Sequence, residues 1–175
     1  MIASERERLA RELDNKLVEF ARTIPASKIN VVVRKLALEG LRKIVRRTPV
    51  DTGRTRGNWQ VTIGTPATGQ RPTRYSDKGG QATIDLGAAV LEGLRLYSFP
   101  TVWITNNVPW ILMLEEGGYS QGRSTRLGIA RAYGGKSAAR QPKTIGGYSR
   151  QAPNGMVAVT VEELLQEFKT EAAQT

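Results

Sequence analysis

The sequence predicts an α+β domain: an N-terminal helical hairpin over residues 1–47, then a small, mainly antiparallel sheet with flanking helices and two long loops. Three observations predict it. Apolar residues recur at spacings of three and four over residues 3–23 and 27–47, as amphipathic helices require. Strict alternation follows in "NWQVTIG" (58–64), the period of a half-buried strand. Two stretches rich in small and turn-forming residues, 65–80 and 117–155, then interrupt the later elements. A chain of 175 residues fits one domain, and no internal repeat divides it.

The first helix carries Leu9, Leu13, Leu17 and Phe20 on one side, with Ser4 and Glu7 spaced as a capping box. Pro25 ends it, and Ser27 is placed to cap a second helix running to Arg47. The two helices are expected to pack as a pair. Ile84, Ala88, Leu91 and Leu94 resume helical spacing over 82–96, although Gly87 and Gly93 lie within it. "TVWITN" (101–106) reads as a second strand, and Pro109 opens a short helix that Gly117 stops. "MVAVTV" (156–161) reads as a third strand or as the start of the last helix. That last helix, 160–173, has Thr160 as its expected N-cap and Glu163 to complete a capping box.

Between the second helix and the first strand lies "TPVDTGRTRGNW" (48–59), whose Asp51-Thr52-Gly53 is the triplet of aspartic proteases. That chemistry needs two carboxylates sharing one proton. Two long helices precede this triplet, and Arg54 and Arg56 beside it favour an ionised carboxylate that shares nothing. The plainer reading is a corner. Pro49 ends the helix, Asp51 accepts a backbone N–H from Gly53 or Arg54 in an Asx-turn, and Gly53 turns the chain into the strand of Trp59.

The composition excludes several chemistries. With no Cys and no His there is no disulfide, no thiolate site and no imidazole base or ligand. Glu115 and Glu116 read as a solvated helix end rather than a metal site, and no cofactor is expected. No phosphate-loop or dinucleotide fingerprint occurs; "GGKS" (134–137) lacks the first glycine and a preceding strand. The opening residues, charged from the fifth on, do not read as a signal peptide, and no apolar run approaches the roughly 20 residues of a membrane span. The expectation is a soluble protein made in the cytoplasm.

The net charge of +10 is uneven. Residues 117–155 hold seven basic groups, no acidic one and nine glycines. Arg123, Arg126, Arg131, Lys136, Arg140, Lys143 and Arg150 are interleaved there with Tyr119, Tyr133 and Tyr148. Such a polycation suits the phosphate backbone of DNA, through contacts blind to sequence, or an acidic protein neighbour. Both readings stay open.

Three blocks in this order, "TPVDTGRTRGNWQV", "VWITNNVPWILMLEEGGYS" and "QAPNGMVAVTVEEL", resemble the tail-completion proteins of long-tailed bacteriophages, the family typified by the minor tail protein Z of phage lambda. The resemblance spans residues from about 40 to 168. It implies a non-enzymatic virion component at the head-proximal end of the tail. The implied assembly is a homo-oligomeric ring, a hexamer favoured, between the head connector or stopper and the tail terminator, tail tube or tape-measure end. Genomic DNA would pass through its channel. Host cytoplasm during assembly and the virion neck afterwards are the implied locations. The resemblance marks Pro49, Asp51, Thr52, Gly53 and Trp59 as the helix-to-strand corner. It marks Asn106, Asn107, Trp110, Glu115 and Gly117 as the second strand and short helix, and Ala152, Pro153, Gly155 and Met156 as the return to the last helix. These positions look structural. The residues themselves support an alternative, a free-standing protein that binds nucleic acid without sequence preference.

Overall fold

A computed structural model describes residues 2–23, 26–72, 75–94, 101–118, 144–145 and 147–172. Its elements run α1 (Ile2–Thr23), α2 (Ala26–Arg47), α3 (Arg54–Gly57), β1 (Gln60–Ile63), α4 (Gln81–Glu92), β2 (Val102–Thr105), α5 (Ile111–Glu116), β3 (Thr144–Ile145), β4 (Tyr148–Ser149) and α6 (Val157–Ala172). The fold is α+β, with little sheet. β1 pairs antiparallel with β2 in the register Val61 to Ile104, and β3 with β4 as a separate short hairpin.

α2 is the central element because both of its sides are apolar. Leu41, Ile44 and Val45 are buried with Trp59, Val61, Ile84, Leu91 and Met156 in one cluster, while α6 lies along its other side. Two glycines set the spacing. A Cβ on Gly40 would stand 3.1 Å from Leu164 Cδ1 of α6, and one on Gly87 of α4 would overlap Leu41 and lie 2.9 Å from Val61 Cγ2. The glycines that weakened a helix by propensity are therefore what lets the helices approach.

Several expectations change. The hairpin helices do not pack chiefly on each other: α1 lies against α6, joined by Lys169 to Glu12 at 2.7 Å. α1 and α2 begin at Ile2 and Ala26, so Ser4 and Ser27 fall inside the helices instead of capping them. Of the two readings of 156–161, the start of the last helix is the one found, since α6 begins at Val157, and Thr160 lies within that helix instead of capping it. There its hydroxyl donates to Met156 O at 2.7 Å, a bond back along the helix. The stretch 117–155 is not one loop: its end folds into the β3–β4 hairpin, seated on α5 with the Tyr148 ring 3.1 Å from where a Gly117 Cβ would stand. Residues 95–96 of the predicted 82–96 helix lie outside the described residues, as does residue 173 of the last helix.

Gly87→Ala decides between two effects of opposite sign. Helix propensity favours alanine by about 1 kcal/mol, whereas forcing a methyl into a packed core costs about 1–3 kcal/mol. With Leu41 and Val61 already in the way, net destabilisation is expected, read as a lower urea midpoint with unchanged slope. A stabilised variant would disprove the close packing.

Candidate functional site

The Asp51-Thr52-Gly53 corner is built of backbone hydrogen bonds. Pro49 follows the last turn of α2, where Thr48 donates its hydroxyl to Ile44 O at 2.7 Å and accepts the Trp59 indole N–H at 2.7 Å. Asp51 is exposed, and the Arg54 N–H goes to Thr52 Oγ1 at 3.3 Å. Gly53 has φ 88°, the left-handed conformation expected of it, and a Cβ there would meet Lys78 N at 2.7 Å. One turn of helix, α3, then separates the corner from β1. Within it, Arg56 donates to the carbonyls of Arg46, Thr48 and Lys78, closing the C-terminal end of α2. Burial pushes its pKa down, opposed by the charge of Asp77.

The loop 65–80 is held by its own chain. Asn58, buried although strand alternation pointed it outward, accepts Arg71 N–H at 2.8 Å and donates to Arg54 O. Ser76 donates to Thr52 O, and Asn107 to Ala67 O. Asp77 takes the N–H groups of Gly80 and Thr83 and the Thr83 hydroxyl at 2.7–2.8 Å, anchoring the start of α4. Burial pushes the Asp77 carboxyl up, but these donors and Arg56 outweigh it and leave it below 3.8.

The other two blocks attach to this corner. Asn106 donates to Thr55 O at 2.9 Å and Trp110 to Thr55 Oγ1 at 2.7 Å. Gln151 exchanges two hydrogen bonds with the backbone of Val50. Glu115 is not the solvated helix end expected: it is buried, and its carboxylate accepts the N–H groups of Met156, Val157 and Ala158 at 2.7–3.0 Å. Three orphan donors at the start of α6 are thereby satisfied by a side chain from α5. Gly155, with φ 78°, lets the chain pass there, since a Cβ would lie 2.7 Å from Glu115 O. Met156 is fully buried, Ala152 is buried and Pro153 is exposed.

The acidic side of α6 meets α2 of the same chain. Glu163 pairs with Arg47 and with Lys43, and Lys43 also with Glu167. The hydrogen bond from Arg47 holds Glu163 below its ordinary range, and the bond to Glu167 raises Lys43.

Of the seven basic residues proposed to face DNA or a neighbour, Arg123, Arg126, Arg131, Lys136, Arg140 and Lys143 lie outside the described residues. Arg150 is exposed beside the hairpin. The structure instead brings forward two arginines that the sequence did not mark as binding residues. Arg54 stacks over Trp110 at 5.2 Å and Arg71 over Tyr75 at 5.0 Å. Among the described residues no cluster of three or more carboxylates could hold a metal ion, and no helix is long and apolar enough to cross a membrane. Comparisons with protein-family models, curated proteins and solved structures find no match.

Two predictions concern these anchors. Glu115→Ala leaves three N–H groups without their acceptor and should cost roughly 2–3 kcal/mol in chemical denaturation; a loss near zero would mean that water replaces the carboxylate. Asp77 has a lowered pKa, so its contribution is complete above 3.8 and is lost as pH falls through the lower folded value. Wild type should therefore be more stable than Asp77→Asn near neutral pH, and the gap should close in acid. A gap independent of pH would overturn the assignment.

Proposed function

We propose that this chain is a structural virion protein of a long-tailed phage, a tail-completion or neck component joining the tail to the head connector and lining the DNA passage. One observation carries the reading. The three blocks on which the resemblance rests converge on a single stitched frame, in which Thr55, Asn106, Trp110, Glu115 and Gln151 direct their polar atoms to one another and to the backbone. Residues used in this way position surfaces for neighbours. Exposed apolar side chains suited to such neighbours stand on α4 (Leu86, Val90) and α5 (Leu112, Met113). The partners proposed are further copies in a ring, a hexamer favoured, the stacked tail-terminator, tail-tube and connector proteins, and the passing genome.

A free-standing nucleic-acid-binding protein is the second reading, favoured by the charge of +10. Light scattering at about 50 and about 500 mM salt, with and without duplex DNA, separates them, because high salt screens charge but not apolar contact. A hexamer-sized species, or a ring formed once neck partners are added, is the expected result. A monomer that binds DNA at low salt and never assembles would establish the alternative.

A further inference from the structure

The arginines of the frame divide by what their guanidinium groups do. Arg56 closes three carbonyls, Arg47 holds Thr160 and Glu163, and Arg34 donates to Leu94 O. Arg54 and Arg71 differ. Among the described residues the Arg54 side chain has one hydrogen-bond partner, the neutral Gln70 Oε1 at 2.9 Å, and that of Arg71 is placed only against its ring. Neither is ion-paired among the described residues, and the Nε of each is buried without a partner. Asp77, the acidic residue within this loop, has both carboxylate oxygens occupied by N–H and hydroxyl donors.

The two arginines belong to one place. Gln70, which Arg54 holds, adjoins Arg71, and the Asn58 side chain bonds the backbone of both segments. Each guanidinium is half-buried against its ring, so it is fixed before any ligand arrives and is poorly solvated. Fixing lowers the entropy lost on binding, and poor solvation strengthens attraction to an anion. The exposed residues that flank the two arginines in the chain are Asp51, Thr52, Thr68, Gly69, Gln70 and Pro72, mostly small and polar. Protein-docking patches instead centre on buried aromatic or aliphatic anchors.

We propose that Arg54 and Arg71 form a binding site for the phosphate backbone of double-stranded nucleic acid, at the corner and not only in the basic stretch after α5. Planar forks held by aromatic stacking suit phosphate oxygens, and such contacts carry no base specificity. This deepens the reading of a protein lining a DNA passage. It is tested on the free full-length chain, so its failure leaves the ring to be judged separately by mass.

The experiment is fluorescence anisotropy with a labelled duplex of about 30 base pairs across a salt series, on wild type and on Arg54→Gln/Arg71→Gln. Loss of two phosphate contacts should lower the slope of log affinity against log salt by about 2. The charge-matched Arg11→Gln/Arg22→Gln variant, both sites exposed on α1 and remote in sequence from the corner, should change it by clearly less. Equal losses in the two variants would reduce the site to bulk charge and overturn the proposal. So would an unchanged slope in the corner variant. Arg71→Gln alone, whose guanidinium holds no hydrogen bond among the described residues, guards against misfolding of the double variant and should lower the slope by about 1. Polyglutamate, as a carboxylate polyanion, should bind with little dependence on the two arginines. If it depends on them as strongly while duplex DNA does not, the partner is an acidic protein and the proposal fails.

Discussion

The rest of the structure hangs on a carboxylate that reaches from one short helix to the start of another. α6 begins at Val157, so the capping position falls on Met156, whose side chain offers no oxygen acceptor. Glu115 supplies the missing acceptor from α5, and it can do so only because Gly155 has no Cβ to collide with its carbonyl. α6 in turn covers α2 with Leu164 and Leu165 and gives α1 its main partner. Removing one negative group would therefore loosen contacts along the whole helical side of the molecule.

A second constraint sits at the other end of α2. Arg56 and the Trp59–Thr48–Ile44 relay close that helix's C-terminus, and Gly53 turns the chain so tightly that the 65–80 loop lies against it. These two closures act on opposite problems, free N–H groups at a helix start and free carbonyls at a helix end. Both are solved by charged side chains from elsewhere in the chain. That is why Glu115, one of a pair that resembles a metal site, has both carboxylate oxygens engaged within the frame.

What could be read in advance follows from the range of each interaction. Periodicity located the main helices and both strands of the principal sheet, since burial of Trp59, Val61, Ile84 and Leu91 acts over a few residues. The corner at Gly53 and the stop at Gly117 were legible for the same reason: a positive φ is a property of one residue. The Glu115 cap was not, because its partners lie 41–43 positions away. A signal did exist, in the absence of a local capping residue before Val157. Thr160 drew attention because threonine is a good N-cap, yet mid-helix it bonds back to Met156 and leaves its oxygen for Arg47. Packing of α1 on α6 was equally hidden: amphipathic faces show that a helix is covered, not by which partner.

The distribution of charge links the frame to its surface. A net charge of +10 reads as an undivided attraction for polyanions, but the structure divides it. Lys43, Arg47 and Lys169 are neutralised by Glu163, Glu167 and Glu12, so the basic end of α2 and the acidic side of α6 cancel within one molecule. Arg56 has its donors on carbonyls of the frame. These cations hold the protein together and are poor candidates for a ligand, since each would leave a partner behind. Arg54 and Arg71 are positioned by rings instead, and an aromatic face fixes a guanidinium without cancelling its charge. The frame neutralises several of its own cations in ion pairs and keeps two stacked, charged arginines at its tightest corner. There an anion can approach without breaking any hydrogen bond on which the fold relies, apart from the single bond to Gln70.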